Sequence, residues 1–188
     1  MGQRLNIEIK EQGKIQANSY YHWSAYTSSS AKITQCILSK IEECKELSPL
    51  QRSIRLLEAT GAGFASNAKE KALLIDELKG FSLKDTTGRS DGLIAVDEAN
   101  MKETRDWEEG RVTIDLDNKT VDFGVFFLET TEEFNEWRKI DINTLPKINF
   151  DLSNIPFDKF DEFIKEVTSV VSIGFRCDSI DKVITPIE

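Results

Sequence analysis

The chain has 188 residues, 39% hydrophobic and 30% charged, enough to bury a core without disulfide or metal staples. No apolar run approaches the ~20 residues that span a bilayer. The formal charge of −9 works against nucleic-acid binding, because affinity for phosphate comes chiefly from Lys and Arg, and it favours a basic partner.

Residues 3–10 predict a strand, with Leu5, Ile7 and Ile9 alternating against Asn6, Glu8 and Lys10. Gln12-Gly13-Lys14 supplies a turn. A second strand follows, on which Ile15, Ala17, Ser19 and Tyr21 oppose Gln16, Asn18, Tyr20 and His22, so the chain opens with a β-hairpin. Ser28–Ser30 offer N-cap oxygens for a helix to about Lys45, buried through Ile33, Cys36, Ile37, Ile41 and Cys44. Ser48-Pro49-Leu50-Gln51 reads as a capping box for a second helix, which uses Leu50, Ile54 and Leu57 and stops at Gly61. Asn67 to Glu70 repeats the pattern for a third helix that buries Leu74 and Leu78 and ends at Gly80.

The polar stretch 85–92 contains two glycines and no apolar residue, and reads as a loop and an internal boundary within a single domain spanning 1–188. Beyond it we expect a strand over Leu93–Val96, then an Asp97-capped helix through Trp107, closed by Gly110. A second hairpin spans Arg111–Leu116 and Thr120–Leu128. A short helix carrying Phe134 and Trp137 follows, then extended pieces at Ile140–Ile142 and Ile148–Leu152. A final helix from Pro156 to about Thr168 buries Phe160, Phe163, Ile164 and Val167, and short strands lie near Val170–Phe175 and Lys182–Ile184. Hairpins and helices without regular βαβ alternation predict an α+β fold: an N-terminal hairpin followed by helices, then a second mixed hairpin and helix half.

Metal binding is not expected. One His and three widely separated Cys cannot furnish a structural zinc site, and the carboxylate pairs Asp115/Asp117 and Asp158/Glu162 match no calcium loop. Without CxxC spacing, Cys36, Cys44 and Cys177 read as free thiols of a reducing compartment. Thr60-Gly61-Ala62-Gly63 follows a helix, the wrong order for a dinucleotide or P-loop fingerprint, and no cofactor is expected. Thr86-Thr87-Gly88-Arg89-Ser90 gathers hydroxyls, flexible amides and one guanidinium, the groups of an anion nest. The run Glu103, Asp106, Glu108 and Glu109, with Glu129, Glu132, Glu133 and Glu136, fits either a mimic of a phosphate backbone or ordinary solubility.

The densest stretch is Asn18–Ser30, which holds Tyr20, Tyr21, His22, Trp23 and Tyr26. Tyr and Trp bring contact area with a polar handle, so Tyr20, His22, Trp23 and Tyr26, with Arg89, are the candidate binding residues. No complete catalytic set accompanies them. Any His-assisted mechanism must use His22, with Ser24, Tyr20 and Thr27 as neighbouring hydroxyls.

Met1-Gly-Gln-Arg-Leu-Asn-Ile7, followed at hairpin spacing by Ala17-Asn18 and Tyr20-Tyr-His-Trp-Ser24-Ala-Tyr26, resembles the start of small uncharacterised proteins encoded by bacteriophages and prophages of Gram-positive bacteria. The resemblance covers about the first thirty residues and extends to pieces of Gly92–Ile114. It implies a mobile-element protein in a bacterial cytoplasm and supplies no catalytic residues. The expected function is therefore a non-enzymatic binding protein, an inhibitor of a host antiviral defence system that binds a host protein or sequesters a small anionic signal. The alternative is a small hydrolase or transferase centred on His22.

Overall fold

The computed structural model describes residues 4–22, 24–25, 27–86, 92–125 and 152–170. The fold is α+β, with the N-terminal hairpin, the helices and the second hairpin all present. Strands β1 (Leu5–Glu11), β2 (Lys14–Tyr21), β3 (Leu93–Ala95), β4 (Gly110–Asp115), β5 (Thr120–Val125) and β6 (Ile155–Pro156) form one sheet in the order β3-β2-β1-β4-β5-β6. Strands from before residue 85 and after residue 92 thus share a sheet. Central β1 pairs antiparallel with β2 and parallel with β4.

The β1–β2 connection is a two-residue turn with Gln12 at φ 55° and Gly13 at φ 73°, the left-handed pair that matches strand twist in a tight hairpin. Both turn amides are held by Asp117 of the β4–β5 turn: Gln12 N and Gly13 N donate to its two carboxylate oxygens at 3.0 and 2.9 Å. Ladder register shifts between Ile9 and Lys10, where Ile9 faces Ala17 and Lys10 faces Ile15. Gln16 is the extra residue of this bulge. The alternation expected through Ile15 is broken there, and Ile15 stands opposite Lys10.

The helices are α1 (Thr27–Ser39), α2 (Pro49–Glu58), α3 (Ser66–Ala72), α4 (Glu98–Arg105) and α5 (Phe160–Val170). One sheet face carries Leu5, Ile7, Ile9, Val112, Ile114 and Val121, all fully buried, and meets Ile33 and Ile37 of α1, Ile54 and Leu57 of α2, and Phe160 and Phe163 of α5. Each such side chain contributes about 1.5–3 kcal/mol of burial. Tyr21 belongs to the same layer. Its hydroxyl bonds Thr60 Oγ1 at 2.5 Å, and because Thr60 donates onward to Leu57 O, Tyr21 is the donor. Burial pushes its pKa up to about 12.

Several element ends depart from expectation. Helix α1 begins at Thr27, so Ser28–Ser30 lie in its first turn rather than capping it. It stops at Ser39, not Lys45, where the Ser39 hydroxyl donates to Cys36 O in competition with the backbone; a 3₁₀ turn over Glu42–Cys44 continues. At α2, Ser48 caps Gln51 N as predicted, but Gln51 does not return the bond and its amide donates to Glu77 O. Helix α3 follows Ala65, without a side-chain cap, and ends at Ala72; Asn67 is inside it, and a 3₁₀ turn carries fully buried Leu78 while Leu74 is 80% exposed. Asp97 caps α4 through Asn100 N. That helix ends at Arg105, and Gly110 opens β4, its amide donating to Arg4 O. The segments predicted over 126–151 and 171–188 lie outside the described residues, as does Cys177, whereas Cys36 and Cys44 are buried, the Cys36 thiol donating to Ala59 O at 3.5 Å.

Candidate functional site

Period two puts Asn6, Glu8, Asn18 and Tyr20 on the sheet face opposite the hydrophobic core, and the register extends that face to Leu93, Ala95, Arg111 and Thr113. A polar face of this kind is expected to meet water. Here Asn6 and Asn18 are fully buried and Glu8 is 4% exposed, because α4 and the turn after it lie over them. Asn18 Nδ2 donates to Thr104 Oγ1 at 2.8 Å, Arg105 Nε to Glu8 Oε1 at 2.5 Å, and Asn6 Nδ2 to Glu108 Oε2 at 2.9 Å. Arg111 also pairs with Glu108. Burial opposes the Arg111 charge, yet its hydrogen bond and attraction to Glu108 leave its pKa raised.

Two acceptors in this network have no partner among the described residues, Asn6 Oδ1 and Asn18 Oδ1. Their identities follow from their neighbours. The Glu108 carboxylate only accepts, so the Asn6 group facing it is the NH₂. Thr104 gives its hydroxyl proton to Met101 O, so it accepts from Asn18.

Tyr20 lies half-buried at the end of β2, between Asn6 and Leu93. Its hydroxyl is 3.4 Å from His22 Nδ1, with the two rings edge-on at 6.4 Å. Burial raises the phenol pKa, Arg4 lowers it and Glu109 raises it, for a net upward shift. The hydroxyl is therefore neutral near pH 7 and able to donate. His22 is exposed just beyond the strand. The structure thus brings Tyr20 and His22 together, whereas Trp23, Tyr26 and Arg89 lie outside the described residues.

Tyr20 also opens onto a cavity of about 360 Å³. Tyr20, Leu93 and Ala95 come from the sheet, Asn100, Glu103 and Thr104 from α4, Trp107 from the turn after it, and Ala65, Asn67 and Ala68 from the start of α3. Trp107 is 58% exposed and Leu93 39%. Arg4 stacks over the Trp107 ring, 5.4 Å from its centroid. Sequence reasoning did not single out Leu93 or Trp107 as site residues. For Trp107 a signal existed: a lone Trp between Asp106 and Glu108 has few apolar neighbours to be buried with. Leu93, in an ordinary apolar run, offered none.

No protein-family model matches this chain, and no match is found among curated proteins or solved structures.

Other features are absorbed by the fold. A larger cavity of about 710 Å³ runs between α1 and α5, beside Lys32, Gln35 and Asp161. It is remote from the Tyr20 face, and Gln35 bridges it to Asp161 at 2.9 Å; we place the site at the smaller groove because exposed Trp107 and Leu93 meet half-buried Tyr20 there. The Gly63 and Phe64 amides donate to Gly92 O and Lys84 O, so that turn presents no free anion cradle. Among the described residues no group of three or more His, Cys, Asp or Glu is arranged to hold a metal. Asp115 binds Lys10 and Asn118, and Asp117 holds the β1–β2 turn. Of the acidic run, Glu108 is turned inward and Glu109 accepts from Arg4 N.

No helix among the described residues is long and apolar enough to cross a membrane.

Proposed function

We propose that this protein is a non-enzymatic binding protein that engages a partner protein through the Tyr20–Leu93–Trp107 groove. One observation carries the reading. Four large apolar side chains are exposed among the described residues, Leu73, Leu74, Leu93 and Trp107, and two of them line the same concavity as Tyr20. Clustered exposed apolar surface is costly to keep in water and marks interaction sites, and aromatic anchors in a pocket are the usual centre of a protein interface. Among the described residues the groove is lined by Glu103 and by no Lys or Arg, which favours a protein partner over sequestration of a small anion. The resemblance of the opening residues to phage proteins supplies the setting: inhibition of a host antiviral defence component in the bacterial cytoplasm.

The test is site-specific crosslinking. A photoreactive residue at position 93, in protein expressed in a Gram-positive host, is expected to capture one stoichiometric host protein, and the same group at exposed Glu46 is not. Trp107→Ala is expected to abolish that capture and any effect of the protein on phage sensitivity. Identical capture at positions 93 and 46, or full biological effect in Trp107→Ala, overturns the reading.

A further inference from the structure

We infer that the groove receives an arginine side chain carried on a basic segment of the partner; this rests on the binding-protein reading above and specifies its chemistry. Two observations converge. Tyr20 and Trp107 border one concavity, and aromatic faces attract a cation through the ring quadrupole, most strongly for Trp and most often with Arg. Trp107 already demonstrates this preference, since the guanidinium of Arg4 sits over its ring.

The second observation is charge. Glu103 on the α4 wall is exposed and holds no ion pair among the described residues, so a carboxylate stands ready at the groove. Guanidinium offers five N–H donors in a plane that also stacks on aromatic rings, whereas a lysine ammonium is a strongly hydrated point charge. An anion would meet the Glu103 carboxylate.

Arg4 makes the inference sharply testable. It is the one nearby cation on Trp107 among the described contacts, so it competes with an incoming arginine but would assist an incoming carboxylate. Removing it therefore has opposite signs for the two ligand classes.

The full chain is titrated with three short peptides in which glycine alternates with arginine, lysine or glutamate, at low salt, and Kd is read by calorimetry. The arginine peptide is expected to bind, with the lysine peptide several-fold weaker. Trp107→Ala is expected to weaken the arginine peptide about tenfold and Glu103→Gln about threefold, the range of one cation–π contact and one exposed charge pair. Arg4→Ala should leave binding unchanged or tighten it. Both altered groove side chains are exposed, so the variants should fold, and circular dichroism checks this. The inference is overturned if Trp107→Ala binds the arginine peptide as the parent does, if Arg4→Ala weakens it, or if the glutamate peptide binds instead. If crosslinking at position 93 finds a partner while the arginine peptide does not bind, the arginine assignment falls and the binding-protein reading stands. If Trp107→Ala changes neither result, both fall.

Discussion

Arg105 of α4 donates to Glu8 of central strand β1 at 2.5 Å, joining residues 97 apart in sequence across the polar face of the sheet. The Glu8 side chain is 5% exposed and that of Arg105 33%. Helix α4 buries a single apolar side chain, Met101, so its attachment is largely polar. Removing one partner leaves a desolvated charge. Arg105→Ala is expected to cost about 2 kcal/mol, toward the lower end for a broken pair because Arg105 keeps partial solvation. Replacing both, Glu8→Leu with Arg105→Met, is expected to cost under about 1 kcal/mol. Urea unfolding measures both. A double variant as unstable as the single one would show that the pair itself, rather than relief of an uncompensated charge, holds α4 in place.

This pair also marks what could be read in advance. Alternation in Leu5–Lys10 identified which residues share a face, because side chains point to opposite sides at period two. It could not show that the polar face is covered, since the cover arrives about ninety residues later and parallel pairing of β1 with β4 leaves no local signature. Caps with a proline or aspartate, at Ser48-Pro49 and Asp97, were legible because the chemistry is local. Gly110 misled for a related reason: a glycine after a helical run reads as a stop, but its amide is bonded to Arg4 O, a strand contact. In the site, Tyr20 was visible as part of an aromatic cluster, whereas Leu93 acquires its role only from the fold.

Two glycines are predicted to resist enlargement for different reasons. A Cβ on Gly92 would stand 2.5 Å from Ser19 Oγ and 2.6 Å from Tyr21 Cε1, whereas one on Gly63 would meet the Asp85 and Thr86 backbone at 2.6 Å. Overpacking of this kind costs about 1–3 kcal/mol, and a side chain can shift where a backbone cannot. Gly63→Ala should therefore lower Tm more than Gly92→Ala, by roughly 2–4 °C per kcal/mol in a chain of this size. Gly124→Ala, whose nearest neighbour is Arg111 Cβ at 4.0 Å, should leave Tm unchanged or slightly higher. Differential scanning calorimetry ranks the three, and equal losses at all would refute the close-approach argument.

Asp115 gives a pH signature. Burial alone would raise its pKa, but the ammonium of Lys10 and the backbone and side-chain amides of Asn118 outweigh it and hold the carboxyl below its ordinary 3.8. A folded value below the unfolded one means that the stabilisation is present above the unfolded pKa and lost as pH falls through the folded pKa. Asp115→Asn should thus be less stable than the parent near pH 7, with the gap closing below about pH 4. Lys10 is shifted the other way, upward from 10.5 by its bond and attraction to Asp115, so its share persists below the unfolded value and disappears only as pH rises through the folded one. Urea midpoints near neutral and strongly acid pH decide the matter: a gap that persists at acid pH would count against a role for the ionised carboxylate.

Arg52 is predicted to be irreplaceable by lysine. Its Nε donates to Cys44 O at 3.2 Å, its Nη2 to Lys45 O and Leu47 O at 2.8 Å each, and its Nη1 pairs with Glu11. One planar group thus closes three carbonyls of the α1–α2 connection and neutralises the end of β1, with Glu11 only 13% exposed. A lysine ammonium keeps the charge but lacks the fixed fork of donors. Arg52→Lys should lose about 1–2 kcal/mol, the net value of one or two charge-assisted hydrogen bonds, and Arg52→Ala about 3 kcal/mol because Glu11 is then left without its counter-ion. Adding Glu11→Gln separates the two contributions: it should restore part of the loss in the alanine variant, where the buried charge is the problem, and none in the lysine variant. Hydrogen exchange at residues 44–48 supplies the structural readout, since those amides should exchange faster in both Arg52 variants whatever stands at position 11. If Glu11→Gln rescues neither variant, the arginine acts through its carbonyl contacts alone.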